Sequence, residues 1–346
     1  MPYIWKSQGH HDERPRVVET AFSQVGFVVI GRNEGKRLEQ SLLSVLRLSS
    51  RVVYVDSAST DDSASAARCL GAFVVELPAD GQLCAARGRN AGYSELMARF
   101  PDCGAVQFLD GDCILEPHFV SAALAFLNSH PEAAVVCGQR FERRPGASIY
   151  NAICDREWNT QIGRAEACGG DALMRTAAFD QVGGFRSSLR AGEEPELTAR
   201  MRAAGWEIWR INARMTEHDA KIYTFGQWWR RTVRTGFGYA QVWEATKALP
   251  ERLYGRNLRS GITWTIALPL LCIVAAIALR QPLVMVLLIA AYGLQVFRIA
   301  QRAGIRGESG FVMAALILIA KFPEMMGAAR YFLTRDKAPP EYKIGG

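Results

Sequence analysis

An apolar segment that ends in two carboxylates constrains the fold of this chain more than any other stretch. The run from Ala105 to Leu109 has the length of a β-strand, and Asp110, Gly111 and Asp112 follow it directly. A buried strand that ends in two acids places both at the carboxyl edge of a sheet, where open α/β sheets bind ligands. Their oxygens suit a hard cation such as Mg²⁺ or Mn²⁺, which holds phosphate oxygens in turn. A simple acidic turn after a strand is the alternative interpretation.

Segments of strand length and helix length alternate around this stretch. Strands are predicted at Val25 to Ile30, Val52 to Val55, Ala72 to Glu76 and Ala105 to Leu109. Helices are predicted from Arg37 to Leu48, from the SASTDDS turn through Leu70, and from Gly81 to Met97. This alternation predicts an α/β fold with a mostly parallel sheet wound with helices. A nicotinamide-dependent dehydrogenase is disfavoured, because the first strand is followed by GRNEG and not by Gly-x-Gly-x-x-Gly.

Charge and composition point to a membrane surface and not to nucleic acid. The chain of 346 residues has a formal net charge of +7, and its basic residues crowd between Arg230 and Arg259 and from Arg298 to Arg306, beside apolar segments. The eight cysteines form no Cys-x-x-Cys pair, which predicts reduced thiols in a cytosolic compartment. The first 22 residues have no apolar run, so a polar leader is expected and not a signal peptide.

The last third of the chain is apolar. The uncharged run from Ile262 to Leu279 would be roughly 27 Å long as a helix, enough to cross a bilayer core. A three-residue turn leads to a second run, Leu283 to Phe297, so a membrane hairpin is predicted, with buried helices of a soluble domain as the alternative. The third run, Phe311 to Ala320, continues into Lys321 and Glu324, which are costly in lipid and could pair at i,i+3. An interfacial or re-entrant placement is therefore expected for it.

These features divide the chain into five predicted parts. A polar leader (1–22) precedes a catalytic α/β domain (23–222), amphipathic interface helices (223–260), membrane helices (261–335) and a C-terminal tail (336–346). Basic residues flank both ends of the hairpin, and such residues stay on the cytoplasmic side. We therefore expect the chain in the cytoplasmic membrane with its catalytic domain facing the cytosol.

Six segments occur in an order that resembles the family 2 glycosyltransferases. They are VVIGRNEG, VDSASTDDS, AARGRNAG, FLDGDC, GGDALMRTAAFDQVGGF and GEEPELTARMRAAGW, and together they cover about Val25 to Arg214. The resemblance implies the glycosyltransferase-A fold and transfer of a sugar from a nucleotide diphosphate donor, with inversion at the anomeric carbon. It also implies a divalent metal, Mg²⁺ or Mn²⁺, bound by Asp112.

The resemblance assigns the donor nucleotide to loops that follow the first two strands. Asn33 and Glu34 match the nucleotide-contacting loop, although Glu34 also suits the first turn of the next helix. Asp56 resembles the acid that accepts hydrogen bonds from the base. A helix-capping role for Asp56 is the alternative, and Ser59 or Asp61 would fill it better.

Further matches surround the donor diphosphate. Arg87 resembles the basic residue that faces the pyrophosphate, and Arg89 could fill that role instead. Asp110 would contact the ribose or the metal. His218 resembles a histidine near the leaving diphosphate and is predicted as a second metal ligand, with a structural histidine as the alternative.

The acceptor side is implied by two segments. Gly169, Gly170 and Asp171 look like the family's acceptor loop, where glycines let the backbone approach a sugar, and a simple turn is the alternative. Gln227 and Arg230 resemble the Q-x-x-R-W motif of processive membrane synthases, but Arg occupies the place of the final Trp. Processive polymerisation is therefore not predicted. This segment, with Trp228, Trp229 and Trp243, equally fits an interfacial amphipathic helix.

Two adjacent glutamates are the candidates for the catalytic base. The acceptor hydroxyl loses a proton as it attacks the anomeric carbon, so a carboxylate has to lie within hydrogen-bond reach. The family usually has Glu-Asp with the second acid as base, which points to Glu194 and leaves Glu193 as the other candidate. An acidic helix start is the structural alternative. Glu196 is expected to pair with Arg200 at i,i+4.

The function predicted from these residues is an inverting glycosyltransferase acting at the membrane. Its partners would be a nucleotide diphosphate sugar and a lipid-linked or saccharide acceptor, in bacterial exopolysaccharide or cell-surface glycan synthesis. A polyprenyl-phosphate glycosyl synthase is one alternative, and its phosphate nucleophile would need no base. A non-catalytic membrane adaptor with a degenerate sugar-nucleotide fold is another, and the intact acids argue against it.

Overall fold

A nine-stranded mixed sheet forms the body of the protein in the computed structural model, which describes residues 22–79, 83–304 and 307–334. Its strands are β1 (Val25–Gly31), β2 (Val52–Asp56), β3 (Phe73–Glu76), β4 (Ala105–Asp110), β5 (Cys113–Leu115), β6 (Ala133–Glu142), β7 (Gly163–Arg164), β8 (Ala172–Arg175) and β9 (Glu207–His218). They are ordered β3-β2-β1-β4-β8-β6-β9-β5, and β7 pairs with β9.

Helices cover the sheet and continue into the C-terminal region. They are α1 (Lys36–Leu46), α2 (Ser63–Leu70), α3 (Ala85–Arg99), α4 (Phe119–Ser129), α5 (Ile149–Trp158), α6 (Thr176–Gln181), α7 (Glu193–Ala203), α8 (Phe225–Ala245), α9 (Gly255–Ile262), α10 (Leu268–Ala278), α11 (Val284–Arg302), α12 (Glu308–Ile319) and α13 (Lys321–Leu333). A short 3₁₀ turn lies at Pro145–Ala147, and a π-helical segment, Thr263–Ala267, joins α9 to α10.

The four predicted strands form the parallel half of the sheet. β1 pairs in parallel with β2 and β4, and β2 pairs in parallel with β3. The side chains of β1, β2 and β4 are largely buried, as expected for strands covered on both faces, whereas those of the edge strand β3 are partly exposed. Gly92 on α3 brings that helix close to the sheet, since a Cβ there would lie 2.4 Å from a methyl carbon of Val28.

The other half of the sheet is mixed, and its antiparallel pairs assemble the polar edge. β8 runs antiparallel to β4, with Phe108 opposite Ala172, so Asp171 at the start of β8 lies beside Asp110 at the end of β4. β5 runs antiparallel to β9 and pairs Cys113 with His218. Residues far apart in sequence therefore meet where β4 ends.

Among the residues that the structure describes, three helices are long and apolar enough to cross a membrane, by length and composition. They are Gly255–Ala278, Val284–Arg302 and Ser309–Leu333. The first two correspond to the predicted hairpin, and many of their large apolar side chains are exposed, including Leu271, Ile277 and Ile289. Arg306, one of the flanking arginines, lies outside the described residues.

The third of these, Ser309–Leu333, which we call the third apolar helix, continues well past the predicted end at Ala320. The expected pair forms inside it, with Lys321 Nζ 2.7 Å from Glu324 Oε2. One of its faces is buried against the rest of the protein, including Leu316 and Tyr331. Its placement at the interface stays a prediction.

Helix α8 is packed more deeply than an interfacial helix would be. Trp228 is 1 % exposed, stacks on Tyr150 of α5 and packs against Leu316 of α12. The interfacial interpretation is therefore wrong for Trp228, because α5 and α12 cover the face of α8 that carries it.

Candidate active site

One buried arginine joins the acid at the end of β4 to the two candidate bases. Arg89, on α3, is 2 % exposed and donates hydrogen bonds of 2.9 Å to Asp110 Oδ1 and to Glu193 Oε1. The same guanidinium lies 3.1 Å from Glu194 Oε1. Burial lowers the pKa of Arg89, and the three carboxylates raise it by more, so the guanidinium stays charged.

Gly170 is required for this close approach. A Cβ at that position would lie 2.1 Å from Arg89 Nη2 and 3.1 Å from Glu194 Oε1. The Gly169–Gly170 loop therefore passes directly over the arginine and the candidate base. The loop predicted to bind the acceptor therefore lies beside Glu194, and its acceptor role stays a prediction.

The pKa of Glu194 lies near neutral pH. Burial and the neighbouring charge of Glu193 raise the pKa of Glu194 to about 7, while Arg89 opposes the shift. A carboxylate with such a pKa can accept a proton and release it again at physiological pH. The first turn of α7 also carries Glu196, whose carboxylate pairs with Arg200 as predicted, at 2.8 and 2.9 Å.

Of the two candidate arginines, Arg87 and Arg89, the structure brings Arg89 to the acids. Arg87 is half-buried, and one of its terminal nitrogens has no hydrogen-bond partner among the described residues. A donor-facing role for Arg87 stays a prediction. The sequence contains a signal for Arg89, since Ala86, Arg89, Tyr93 and Leu96 form one buried stripe at helical spacing.

Asp171 lies beneath the site. It is 1 % exposed, and its two oxygens accept hydrogen bonds of 2.9 Å from the Asp110 N–H and the Thr216 hydroxyl. Burial to this degree leaves the carboxylate almost inaccessible to an acceptor. The geometry therefore fits a carboxylate that positions Asp110 better than one that binds the acceptor, and the acceptor role stays a prediction.

Arg140 is a site residue that the sequence analysis missed. Its guanidinium lies 3.6 Å from Asp110 Oδ2 and 3.6 Å from Asp171 Oδ2, and it donates to Cys113 Sγ at 3.1 Å. It also lies over the Trp158 ring, 4.8 Å from its centre. No local pattern marks it, because β6 reaches this edge only through its pairing with β8 and β9.

The two predicted metal ligands face each other. His218 Nε2 is 3.6 Å from Asp112 Oδ2, and donor atoms of Asp112, Cys113 and His218 lie within 4.8 Å of one another. His218 Nδ1 is buried and faces Glu142 Oε2 at 3.9 Å. Burial opposes the imidazolium, but the Asp112 and Glu142 carboxylates raise the pKa of His218 above its ordinary value. A carboxylate and an imidazole with an outer carboxylate fit a divalent cation such as Mn²⁺.

The loops after β1 and β2 are tied together. Asn33 has a left-handed φ of 54°, accepts a hydrogen bond from the Thr60 N–H at 2.7 Å and donates its own N–H to Ser59 Oγ at 2.9 Å. Asp56 is buried and accepts from the Tyr54 hydroxyl and the Ser59 N–H. These contacts shape the edge where a nucleotide is predicted, and the direct nucleotide roles stay predictions.

Three further predicted site residues are Glu34, Gln227 and Arg230, and the first two have partners that explain them structurally. Glu34 is buried and pairs with Arg37 at 2.6 Å, the helix-start role that was its alternative. Gln227 completes a capping box with Thr224 at the start of α8. Arg230, on the next turn, has its Nε buried without a hydrogen-bond partner among the described residues. The acceptor roles of Gln227 and Arg230 stay predictions.

Comparisons with known proteins agree with this architecture. Residues 27–190 match the family described as "Glycosyl transferase family 2". A mannosyltransferase from Pyrobaculum calidifontis, solved with GDP-Man and Mn²⁺, superposes with a TM-score of 0.61 at 15 % identity, covering 90 % of this chain and 88 % of that one. TarS 1-349 from S. aureus gives a TM-score of 0.47 at 14 % identity, covering 90 % and 93 %. No curated protein sequence matches the chain.

The sheet order and the mannosyltransferase superposition define the glycosyltransferase-A fold, and the family match over residues 27–190 makes this chain a glycosyltransferase. Within that class, the chain carries a family 2 glycosyltransferase domain. The predicted family, fold and enzyme class are thereby confirmed. At 15 % identity, the mannosyltransferase supports the fold and not a substrate.

Proposed function

We propose that the protein is an inverting glycosyltransferase that moves a sugar from a nucleotide diphosphate donor to a lipid-linked acceptor at the cytosolic face of the membrane. The carrying observation is the cluster of Asp110, Glu193 and Glu194 around the buried Arg89, in which the pKa of Glu194 is raised to about 7. Synthesis of a bacterial exopolysaccharide or cell-surface glycan is the setting we infer.

Glu194 acts as the base in this proposal. Its carboxylate takes the proton from the acceptor hydroxyl as that oxygen attacks the anomeric carbon. The bond from the anomeric carbon to the diphosphate oxygen breaks on the opposite face, and this inverts the configuration. Arg89 holds Glu193 and Glu194 beside Asp110, so the base is aligned before the acceptor arrives.

Asp112 and His218 would hold the divalent metal in this proposal. When bound, such an ion neutralises negative charge on the departing diphosphate. Asp171 supports this edge by fixing the backbone of Asp110, two residues before Asp112. Mg²⁺ and Mn²⁺ both suit oxygen ligands, and an imidazole ligand favours Mn²⁺.

A lipid-linked acceptor is favoured by the position of the base relative to the first apolar helix. That helix begins at Gly255, and the ring of Tyr254 lies 4.5 Å from the ring of Tyr239 on α8. Tyr239 follows Gly238, which lies against Ala191 in the loop before the glutamates. The base and the membrane-facing helix therefore share α8 as a common support.

Turnover of donor sugars by isolated membranes tests the function. With Mn²⁺ present, we expect one nucleotide sugar from a panel of UDP and GDP sugars to be consumed, and its sugar to appear in the lipid extract when lipid-linked oligosaccharide is added. Because Glu194 has to be deprotonated, transfer should rise with pH through about 7. Transfer to free polyprenyl phosphate alone would support the synthase alternative, and a complete lack of turnover would support the adaptor.

The orientation can be tested separately by cysteine labelling. Arg252, Arg256 and Arg259 precede the predicted span Ile262–Leu279, and Arg298 and Arg302 follow the predicted span Leu283–Phe297, so both flanks should be cytosolic. In intact cells, a membrane-impermeant maleimide should label Arg280→Cys in the hairpin turn and leave Ser309→Cys unlabelled. The exposed Cys69 of the catalytic domain is the internal control, since it should react only after lysis. Labelling of position 309 from outside would overturn the hairpin.

A further inference from the structure

Helix α8 holds the loop that leads into the catalytic glutamates. Gln241 Oε1 accepts hydrogen bonds from the N–H groups of Arg190, at 3.1 Å, and Ala191, at 3.2 Å. Gly192 packs so closely that a Cβ there would lie 2.5 Å from Val242 Cγ2. Arg190, Ala191 and Gly192 directly precede Glu193, so α8 sets where α7 begins.

The start of α7 depends on this support. Gly192 has a left-handed φ of 81° and makes no side-chain cap for the helix. Arg234, also on α8, donates a further hydrogen bond of 3.1 Å to the Arg190 carbonyl oxygen. With no side-chain cap to fix the first turn, tertiary contacts such as these define its position.

The opposite side of α8 packs on the third apolar helix at backbone contact. A Cβ at Gly236 would lie 1.8 Å from the Glu324 carbonyl oxygen, and a Cβ at Gly327 would lie 1.9 Å from the Val233 carbonyl oxygen. Two glycines, one on each helix, therefore allow the backbones to touch. Such contact transmits a displacement of one helix directly to the other, because packed backbones cannot absorb it by changing rotamers.

We propose that the third apolar helix is a positioning element for the catalytic base. Through the Gly236–Gly327 contact it fixes α8, and through Gln241 α8 fixes the loop that places Glu193 and Glu194 on Arg89. This inference rests on the proposed function, because it assumes that Glu194 is the base. A change in the position of this helix in the membrane would then change the position of Glu194 in the active site.

The charge environment of Glu194 gives this proposal a specific signature. Glu193 and Arg89 face Glu194 directly, and Asp110 lies on the far side of the same guanidinium. Two further titratable groups interact with Glu194: the thiol of Cys168, which precedes Gly169, and the phenol of Tyr254, at the start of α9. If the loop shifts, Glu194 loses burial, which is the largest cause of its raised pKa. Its pKa then falls towards the ordinary value, and the acidic limb of the pH–rate profile moves to lower pH.

The test compares alanine substitutions at glycines with and without a close neighbour. Gly236→Ala and Gly327→Ala insert a methyl into the helix contact. Gly293→Ala, on α11, is the matched control, since among the described residues no heavy atom outside the local helix backbone lies within 4 Å of a Cβ there. Each full-length protein is assayed in membranes for kcat, for its pH profile, and for binding of UDP and GDP with Mn²⁺. A displacement of about 1 Å can cost about 10²-fold in rate, so we expect kcat to fall by at least tenfold in both contact variants.

The expected pattern is a lower kcat and a limb at lower pH, with nucleotide binding retained and Gly293→Ala equal to the wild type. Should the contact variants fail to fold, Gln241→Leu decides the question, because it removes the acceptor of two N–H groups and leaves the helix crossing intact. Unchanged kcat and an unshifted limb in Gln241→Leu, or in both glycine variants, would overturn the proposal. A wild type that turns over no donor would instead contradict the proposed function.

Discussion

Glu194→Gln is expected to lower kcat by about 10²–10⁴-fold, the usual cost of losing a general base, while the donor still binds. The amide keeps the size of the carboxylate but cannot take a proton. Because Arg89 retains hydrogen bonds of 2.9 Å to Glu193 and Asp110, the cluster should stay assembled. Initial rates across pH and binding of UDP and GDP measure the two effects independently.

Glu193→Gln is the matched comparison, since both glutamates contact Arg89. We expect a smaller loss of kcat and a shift of the acidic limb to lower pH, because removal of the Glu193 charge lowers the pKa of Glu194. If Glu193→Gln shows the large loss and Glu194→Gln does not, Glu193 is the base. The match of Glu194 to the second acid of the family's Glu-Asp pair is then displaced by one residue.

Local sequence patterns were sufficient for the parallel half of the fold. Each strand from β1 to β4 is an apolar run ended by polar or turn residues, and burial of β1, β2 and β4 on both faces leaves those runs few alternatives. The Lys321–Glu324 and Glu196–Arg200 pairs were likewise predictable from helical spacing. The capping box of Thr224 and Gln227 has a local signature too, which the resemblance to a synthase motif obscured.

The centre of the site could not be read in this way, because pairing between distant strands creates it. Asp171 reaches Asp110 through the antiparallel β4–β8 ladder, and Arg140 arrives on β6 from a different part of the chain. Nothing in their neighbouring residues fixes the direction of β8 or the register of β6. The packing of the third apolar helix on α8 could not be predicted either. Gly236 and Gly327 lie on different helices, and the close contact between them exists only when both helices are in place.

Asp112→Ala is expected to abolish Mn²⁺-dependent transfer while leaving the fold intact. The Asp112 carboxylate lies in the turn between β4 and β5 and faces His218 Nε2 at 3.6 Å. Its removal therefore takes the negatively charged ligand from the predicted metal site. Loss of one group that stabilises developing charge costs about 10²–10³-fold in rate, and loss of the ion itself should cost at least that much. Asp102→Ala is the control: this exposed acid pairs with Arg51 at the surface, where ion pairs contribute little.

The relative effects of the two ligands provide the sharper measurement. Asp112 supplies negative charge to a divalent ion, whereas His218 supplies a neutral nitrogen whose lone pair is available only after the imidazolium loses its proton. Mn²⁺ affinity, followed by electron paramagnetic resonance without any substrate, should therefore fall further in Asp112→Ala than in His218→Ala. Because neighbouring carboxylates raise the pKa of His218, metal binding in the wild type should also weaken as pH falls. Retained Mn²⁺ binding and transfer with unchanged metal dependence in Asp112→Ala would place the ion elsewhere.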